Sequence, residues 1–152
     1  MTDVRNSWYG PLAPIRTQCF CQSHLHPQLS VDFYQYGTFS DDPCWKCLLK
    51  CYGLTLNIMS SAGQVDTQAW ANQFPYVTPQ IAQKCSNSIV SEPDLCEKAY
   101  LLVKCSYDTL AKQYPAKNFE CSVVKGTVLM CFLFGANVHK LIVNDVVFLC
   151  KL

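Results

Sequence analysis

The chain has 152 residues, enough for one domain with a real core but little to spare. Half of it is hydrophobic, only 15% is charged, and the net charge of +1 comes with scattered Lys and Arg rather than a basic run. That balance excludes a charge-driven partner such as nucleic acid.

Eleven cysteines point away from a reducing compartment and towards a secreted protein with a disulfide framework. The odd total leaves at least one thiol unpaired, capped or joined to another chain. The opening Met-Thr-Asp-Val-Arg-Asn-Ser is polar with no apolar segment behind it. The expectation is a mature form with an added start Met.

In chain order, residues 1–18 carry Gly10, Pro11 and Pro14 and read as an irregular arm. Residues 19–40 hold Cys19, Cys21 and a string of aromatics, with a helix expected after Pro27 rather than across it. Pro43, capped by Asp41 or Asp42, opens a helix to about Ile58 with Cys44, Cys47, Cys51, Leu54 and Ile58 on one stripe. Gly53 weakens that helix and can end it early. Ser60 to Gln64 reads as a turn. Asp66 or Thr67 caps a helix carrying Trp70 and Phe74, and Thr78-Pro79 starts another with Ile81, Ala82 and Cys85 inward. After Ser91-Glu92-Pro93-Asp94, residues 95–113 keep helical period through Cys96, Ala99, Tyr100, Val103, Tyr107 and Leu110.

From Val123 to Leu149 the chain is mostly apolar but interrupted by Lys125, Asn137, His139, Lys140, Asn144 and Asp145. Its longest apolar run is about ten residues, where a membrane span needs roughly 20. Asn137, Lys140, Asn144 and Lys151 fall on one helical stripe, so extra helices are expected from about residue 116. The organisation read from the sequence is an irregular arm over 1–18 and one all-α domain over 19–152, with six to eight short helices.

The stretch DDPCWKCLLKC at 41–51 poses a choice between metal, redox and structural roles. Zinc needs four Cys or His ligands; CWKC with Cys19, Cys21, His24 or His26 could supply them but would leave the later cysteines unexplained. A redox thiolate at Cys44 has a helix N-terminus beside it but lacks the alternating strands and helices that carry such sites. The disulfide reading covers more positions. Cys47 and Cys51 lie one turn apart on one helix face, so each must reach a different neighbour.

The series Cys21 (or Cys19), Cys47, Cys51, Cys85, Cys96 and Cys105 resembles the six-cysteine signature of insect odorant-binding proteins, including its three-residue gap after the second cysteine and eight-residue gap before the sixth. CLLKCYGLTLNIMSSAGQVD and SEPDLCEKAYLLVKC are similar to the family's text, and the likeness spans about residues 19–107. The resemblance implies a disulfide-stapled helical cage around an internal apolar cavity. It also implies the pairing Cys21 (or Cys19) with Cys51, Cys47 with Cys96, and Cys85 with Cys105. Cys44, Cys121, Cys131 and Cys150 are additions to the pattern, as is the long tail. Extra bridges and a long tail resemble equally the extended, cysteine-rich odorant-binding subclasses and the short salivary relatives of blood-feeding flies, which bind lipid mediators or biogenic amines.

The implied function is an extracellular carrier of a small hydrophobic ligand: an odorant, a pheromone or a lipid-like molecule. A salivary scavenger of host mediators, or an inhibitor of a host factor, is the alternative. Candidate wall residues are Leu54, Trp70, Phe74, Tyr100, Val103, Tyr107, Phe132 and Phe134, with Tyr100 and Tyr107 favoured for hydrogen bonding. Trp45 is expected off the cysteine stripe and partly exposed, and Trp70 is the indole expected to sense ligand. His24, His26 and His139 could confer pH dependence; among the carboxylates an amine would want, Asp145 alone stands out, inside the apolar C-terminal helix or equally on its polar face. The apolar tail favours a lipid-like or odorant-like ligand over an amine. No metal, cofactor or catalytic residue is expected, since the Cys-Cys, His-Asp and calcium loop of secreted phospholipases are absent. A receptor or a second copy of the chain are the further partners left open.

Overall fold

The computed structural model describes residues 1–115 in full and, beyond them, the backbone of residues 120–124, 128–132, 138–143 and 146–151. It divides into two compact units, Met1–Pro115 and Ala116–Leu152.

The first unit is helical: α1 (Thr2–Leu12), α2 (Arg16–Ser23), α3 (Pro27–Tyr36), α4 (Pro43–Thr55), α5 (Thr67–Gln73), α6 (Pro79–Asn87) and α7 (Leu95–Gln113). Four of them start where a short polar side chain can satisfy the orphan amides of the first turn. Asp42 Oδ1 accepts from the amides of Cys44 and Trp45 (2.8 and 3.2 Å). Asp66, Thr78 and Asp94 do the same for Ala69, Ile81 and Glu97. Helix α4 is central, packing along α7 on one side and α2 on another.

Three disulfides interlock these elements. Cys19–Cys51 ties α2 to α4, Cys47–Cys96 ties α4 to α7, and Cys85–Cys105 ties α6 to α7, with Cα separations of 5.6, 4.5 and 5.6 Å. Cys47 and Cys51 reach different helices, as their spacing requires. The first framework cysteine is Cys19, not Cys21. Two residues along a helix is about 200° of rotation, so only one of the pair can face α4. Cys19 is fully buried there, while Cys21 is exposed and unpaired among the described residues.

The arm expected over 1–18 is instead helical, because Val4, Trp8 and Leu12 recur every fourth residue and bury one stripe. Pro11 lies in the last turn, so the intrahelical hydrogen bond that its missing amide removes falls at the end of the helix. Trp45 is also not exposed: it is 2% accessible. Trp45, Leu48, Leu49 and Tyr52 form the core stripe of α4, one residue round from the cysteines, which serve its flanks.

The second unit corrects the expectation of further helices from about residue 116. Its described backbone is extended: β1 (Glu120–Val124), β2 (Val128–Phe132), β3 (Val138–Val143) and β4 (Val146–Lys151) form one sheet in the order β1-β2-β4-β3. β1 and β2 pair antiparallel, β2 and β4 parallel, and β3 and β4 antiparallel from Val138–Lys151 to Val143–Val146. A short apolar run has no periodicity to separate buried helix from buried strand. The density of Val and Ile, stiff at χ1, decides for the strand. The all-α class holds for the unit Met1–Pro115.

Candidate functional site

Inside the helical unit lies a cavity of about 60 Å³. Its wall draws Trp8 and Leu12 from α1, Phe33 and Tyr34 from α3, and Trp45, Leu48, Leu49 and Tyr52 from α4. The turn after α4 adds Leu56, Ile58 and Met59, and the far side is closed by Trp70, Phe74, Leu102 and Val103. All three tryptophans of the chain therefore meet at one site. The stripes Val4/Trp8/Leu12 and Trp45/Leu48/Leu49/Tyr52 were the sequence signal for the wall residues the reading missed.

The lining is almost wholly apolar, with few polar groups reaching it. Trp45 Nε1 is buried and has no hydrogen-bond partner among the described residues, an unmet donor that is costly in an apolar setting. Burial pushes the Tyr34 phenol up to about 12, partly offset by the positive charge of Arg16. The Tyr52 phenol is likewise raised by burial. Both hydroxyls stay protonated and able to donate at neutral pH. Among the described residues no carboxylate lines the cavity.

The volume holds a few waters, well below the roughly 300–1,000 Å³ of typical small-molecule pockets. Admitting a larger ligand requires side chains to swing. Met59 is the softest part of the wall, with three rotatable bonds, and its neighbour Gly53 has no side chain to crowd it: even an added Cβ there would meet Met59 only at ordinary van der Waals distance.

Of the residues singled out by sequence, Trp70, Phe74 and Val103 lie at this cavity. Leu54 lies elsewhere, in a surface cleft with Gln22, Lys50 and Thr55. Tyr100 and Tyr107 do not line the cavity; they join Phe39, with ring centroids 5.9 and 5.0 Å from it, in a cluster that meets the wall through Phe33, 5.1 Å from Phe39 and 5.9 Å from Tyr107. Tyr100 donates to Asp41 (3.3 Å), and Tyr107 accepts from Arg5 (3.1 Å). Phe132 lies in β2, where only backbone is described, and Phe134 and Asp145 lie outside the described residues. His24 and His26 sit at helix ends, His26 as the cap of α3 accepting from the Gln28 amide. His139 is in β3.

Among the described residues no group of His, Cys, Asp and Glu could hold a metal ion. No described helix is long and apolar enough to cross a membrane.

Residues 11–109 match the model of the PBP/GOBP family. No curated protein sequence matches the chain. Solved structures with the same helical frame include the Locusta migratoria odorant binding protein lmigOBP1, with a TM-score of 0.56 and 20% identity over 66% of this chain and 80% of that one. Apis mellifera odorant binding protein 5 matches at a TM-score of 0.49 and 23% identity, covering 64% of this chain and 84% of that one. The matched residues span all three interlocked bridges and most of the cavity wall, and the chain belongs to the PBP/GOBP family.

Proposed function

We propose that this protein is an extracellular carrier that takes up a small hydrophobic ligand in the cavity between α1, α3, α4, α5 and α7. The observation that carries the reading is the largely enclosed apolar chamber walled by Trp8, Trp45 and Trp70. A core of this size would normally pack solid. Here the bridges on α4 and α7, each worth about 2–4 kcal/mol, can hold the frame while the wall side chains rearrange. Binding is then burial of ligand surface at roughly 25 cal/mol per Å², with Trp70, Phe74 and Val103 among the contacts. The three disulfides favour an oxidising, extracellular setting. A scavenger of amines is less well supported, because nothing anionic among the described residues lines the chamber.

The test is displacement of an apolar fluorescent probe from the oxidised protein by odorants, fatty acids, eicosanoids and amines. Intrinsic fluorescence is followed in parallel, since a ligand in the chamber touches all three indoles. Displacement by apolar compounds with a matching change in tryptophan emission is the expected result. Failure of every class to displace the probe overturns the reading.

A further inference from the structure

On the proposal that the chamber carries a hydrophobic ligand, the geometry points to an anionic amphiphile as that ligand's class: a single-tailed carboxylate whose head is received by Arg16 at the mouth of the chamber.

The chamber has a neighbour. An open cleft of about 400 Å³ lies between α1, α2 and α3, lined by Asn6, Tyr9, Arg16, Val31 and Gln35 together with Ser30 and Tyr34. Ser30 and Tyr34 also line the chamber. They form the partition between chamber and cleft, so rotation of the Tyr34 ring would join the two. That ring meets Tyr9 edge-on across the cleft at 5.6 Å.

The charge at this doorway is one-sided. Among the described residues Arg16 is the only charged side chain of the cleft, and no carboxylate lines either space. Arg16 donates Nη1 to the Tyr9 hydroxyl (2.9 Å) and lies 5.0 Å from the Phe20 ring centroid. Among the described residues it has no carboxylate partner. A guanidinium has five N–H donors in a fork that matches a carboxylate, and here most of them are uncommitted.

Arg5 on the same side of the unit is a contrast. It spends its donors on two backbone carbonyls and two hydroxyls and lines neither space. The field of Arg16 also reaches the chamber wall, since its charge lowers the pKa of both Tyr34 and Tyr52 against the effect of burial. A cation facing an apolar chamber across a movable aromatic suits a ligand with an apolar tail and an anionic end.

The experiment compares dodecanoic acid, methyl dodecanoate and dodecylamine as displacers of an apolar fluorescent probe at neutral pH, on the wild-type protein, Arg16→Gln and Arg16→Lys. The acid should bind at least about tenfold tighter than its ester, and the amine more weakly than the ester. Arg16→Gln should abolish the preference for the acid by weakening the acid far more than the ester, and Arg16→Lys should keep part of it. Added salt should weaken the acid alone. Equal binding of acid and ester, or an equal loss for both in Arg16→Gln, overturns the head-group inference while the carrier reading stands. Failure of the ester as well as the acid to displace the probe overturns both.

Discussion

Arg5 on α1 donates its Nη1 to the hydroxyl of Tyr107 on α7 at 3.1 Å, across 102 residues of sequence. The same guanidinium gives Nε to the Tyr34 carbonyl (2.9 Å) and Nη2 to the Gln35 carbonyl (3.0 Å). Both carbonyls belong to the last turn of α3, whose dipole is negative there. The side chain is only 5% accessible and has no carboxylate among these partners. A buried cation is tolerated here because a helix terminus neutralises it.

Arg5→Ala should therefore destabilise the protein by about 2–4 kcal/mol, since it leaves buried carbonyls without donors. Arg5→Lys should recover only a minor part, because one ammonium cannot span the three elements the planar fork reaches. Urea denaturation of the oxidised protein measures both. A loss below about 1 kcal/mol for Arg5→Ala would show that water replaces the guanidinium freely.

Gly37 closes α3 in the left-handed region at φ +76°, and its amide donates to the Phe33 carbonyl at 2.8 Å. A Cβ there would overlap the Tyr107 hydroxyl. Gly37→Ala should cost about 1–2 kcal/mol from the backbone alone, and more from the clash. In a Tyr107→Phe background the clash contribution should shrink, with the close approaches to the Arg5 guanidinium and the ring itself left, and the backbone contribution should remain. A double-mutant cycle with no coupling between the two positions would contradict the packing described.

The parts of this fold written in local chemistry were readable from the chain. Asp42, Asp66, Thr78 and Asp94 announce helix starts because a capping oxygen acts within three residues. The bridges Cys47–Cys96 and Cys85–Cys105 followed from the family resemblance rather than from spacing. Choices between two faces of one helix were harder. Cys19 and Cys21 differ only in which side of α2 meets α4, and Trp45 is buried because α4 has neighbours on several sides. Tyr100 and Tyr107 carry the same helical period as Val103, yet only Val103 faces the chamber. Helix α1 was hidden by Gly10 and Pro11, although Val4, Trp8 and Leu12 carry its period.

The choice between Cys19 and Cys21 is directly measurable. Cys19→Ser removes a bridge spanning 32 residues and should cost about 2–4 kcal/mol, read as a lower denaturation midpoint. Cys21→Ser should change stability by less than about 0.5 kcal/mol, as expected of an exposed position away from the core. Peptide mass mapping of the native protein should recover Cys19 joined to Cys51. Recovery of Cys21 joined to Cys51 would reverse the assignment.

Tyr34 gives an alkaline signature of the partition between chamber and cleft. Its phenol is raised from 10.0 to about 12, first by burial, with Arg16 pulling the other way. The folded state thus holds its proton more tightly than the unfolded chain does. The stabilising contribution is complete below pH 10, where both states are protonated, and is lost as pH rises from 10 towards 12. Stability of the wild-type protein should fall through that window more steeply than that of Tyr34→Phe. The difference between the two isolates Tyr34 from the lysines that titrate nearby. Absorbance at 295 nm should show one late-ionising tyrosine fewer in the variant. If the two proteins lose stability in parallel from pH 10 to 12, the Tyr34 ring is already open to water, and the partition would be no barrier between cleft and chamber.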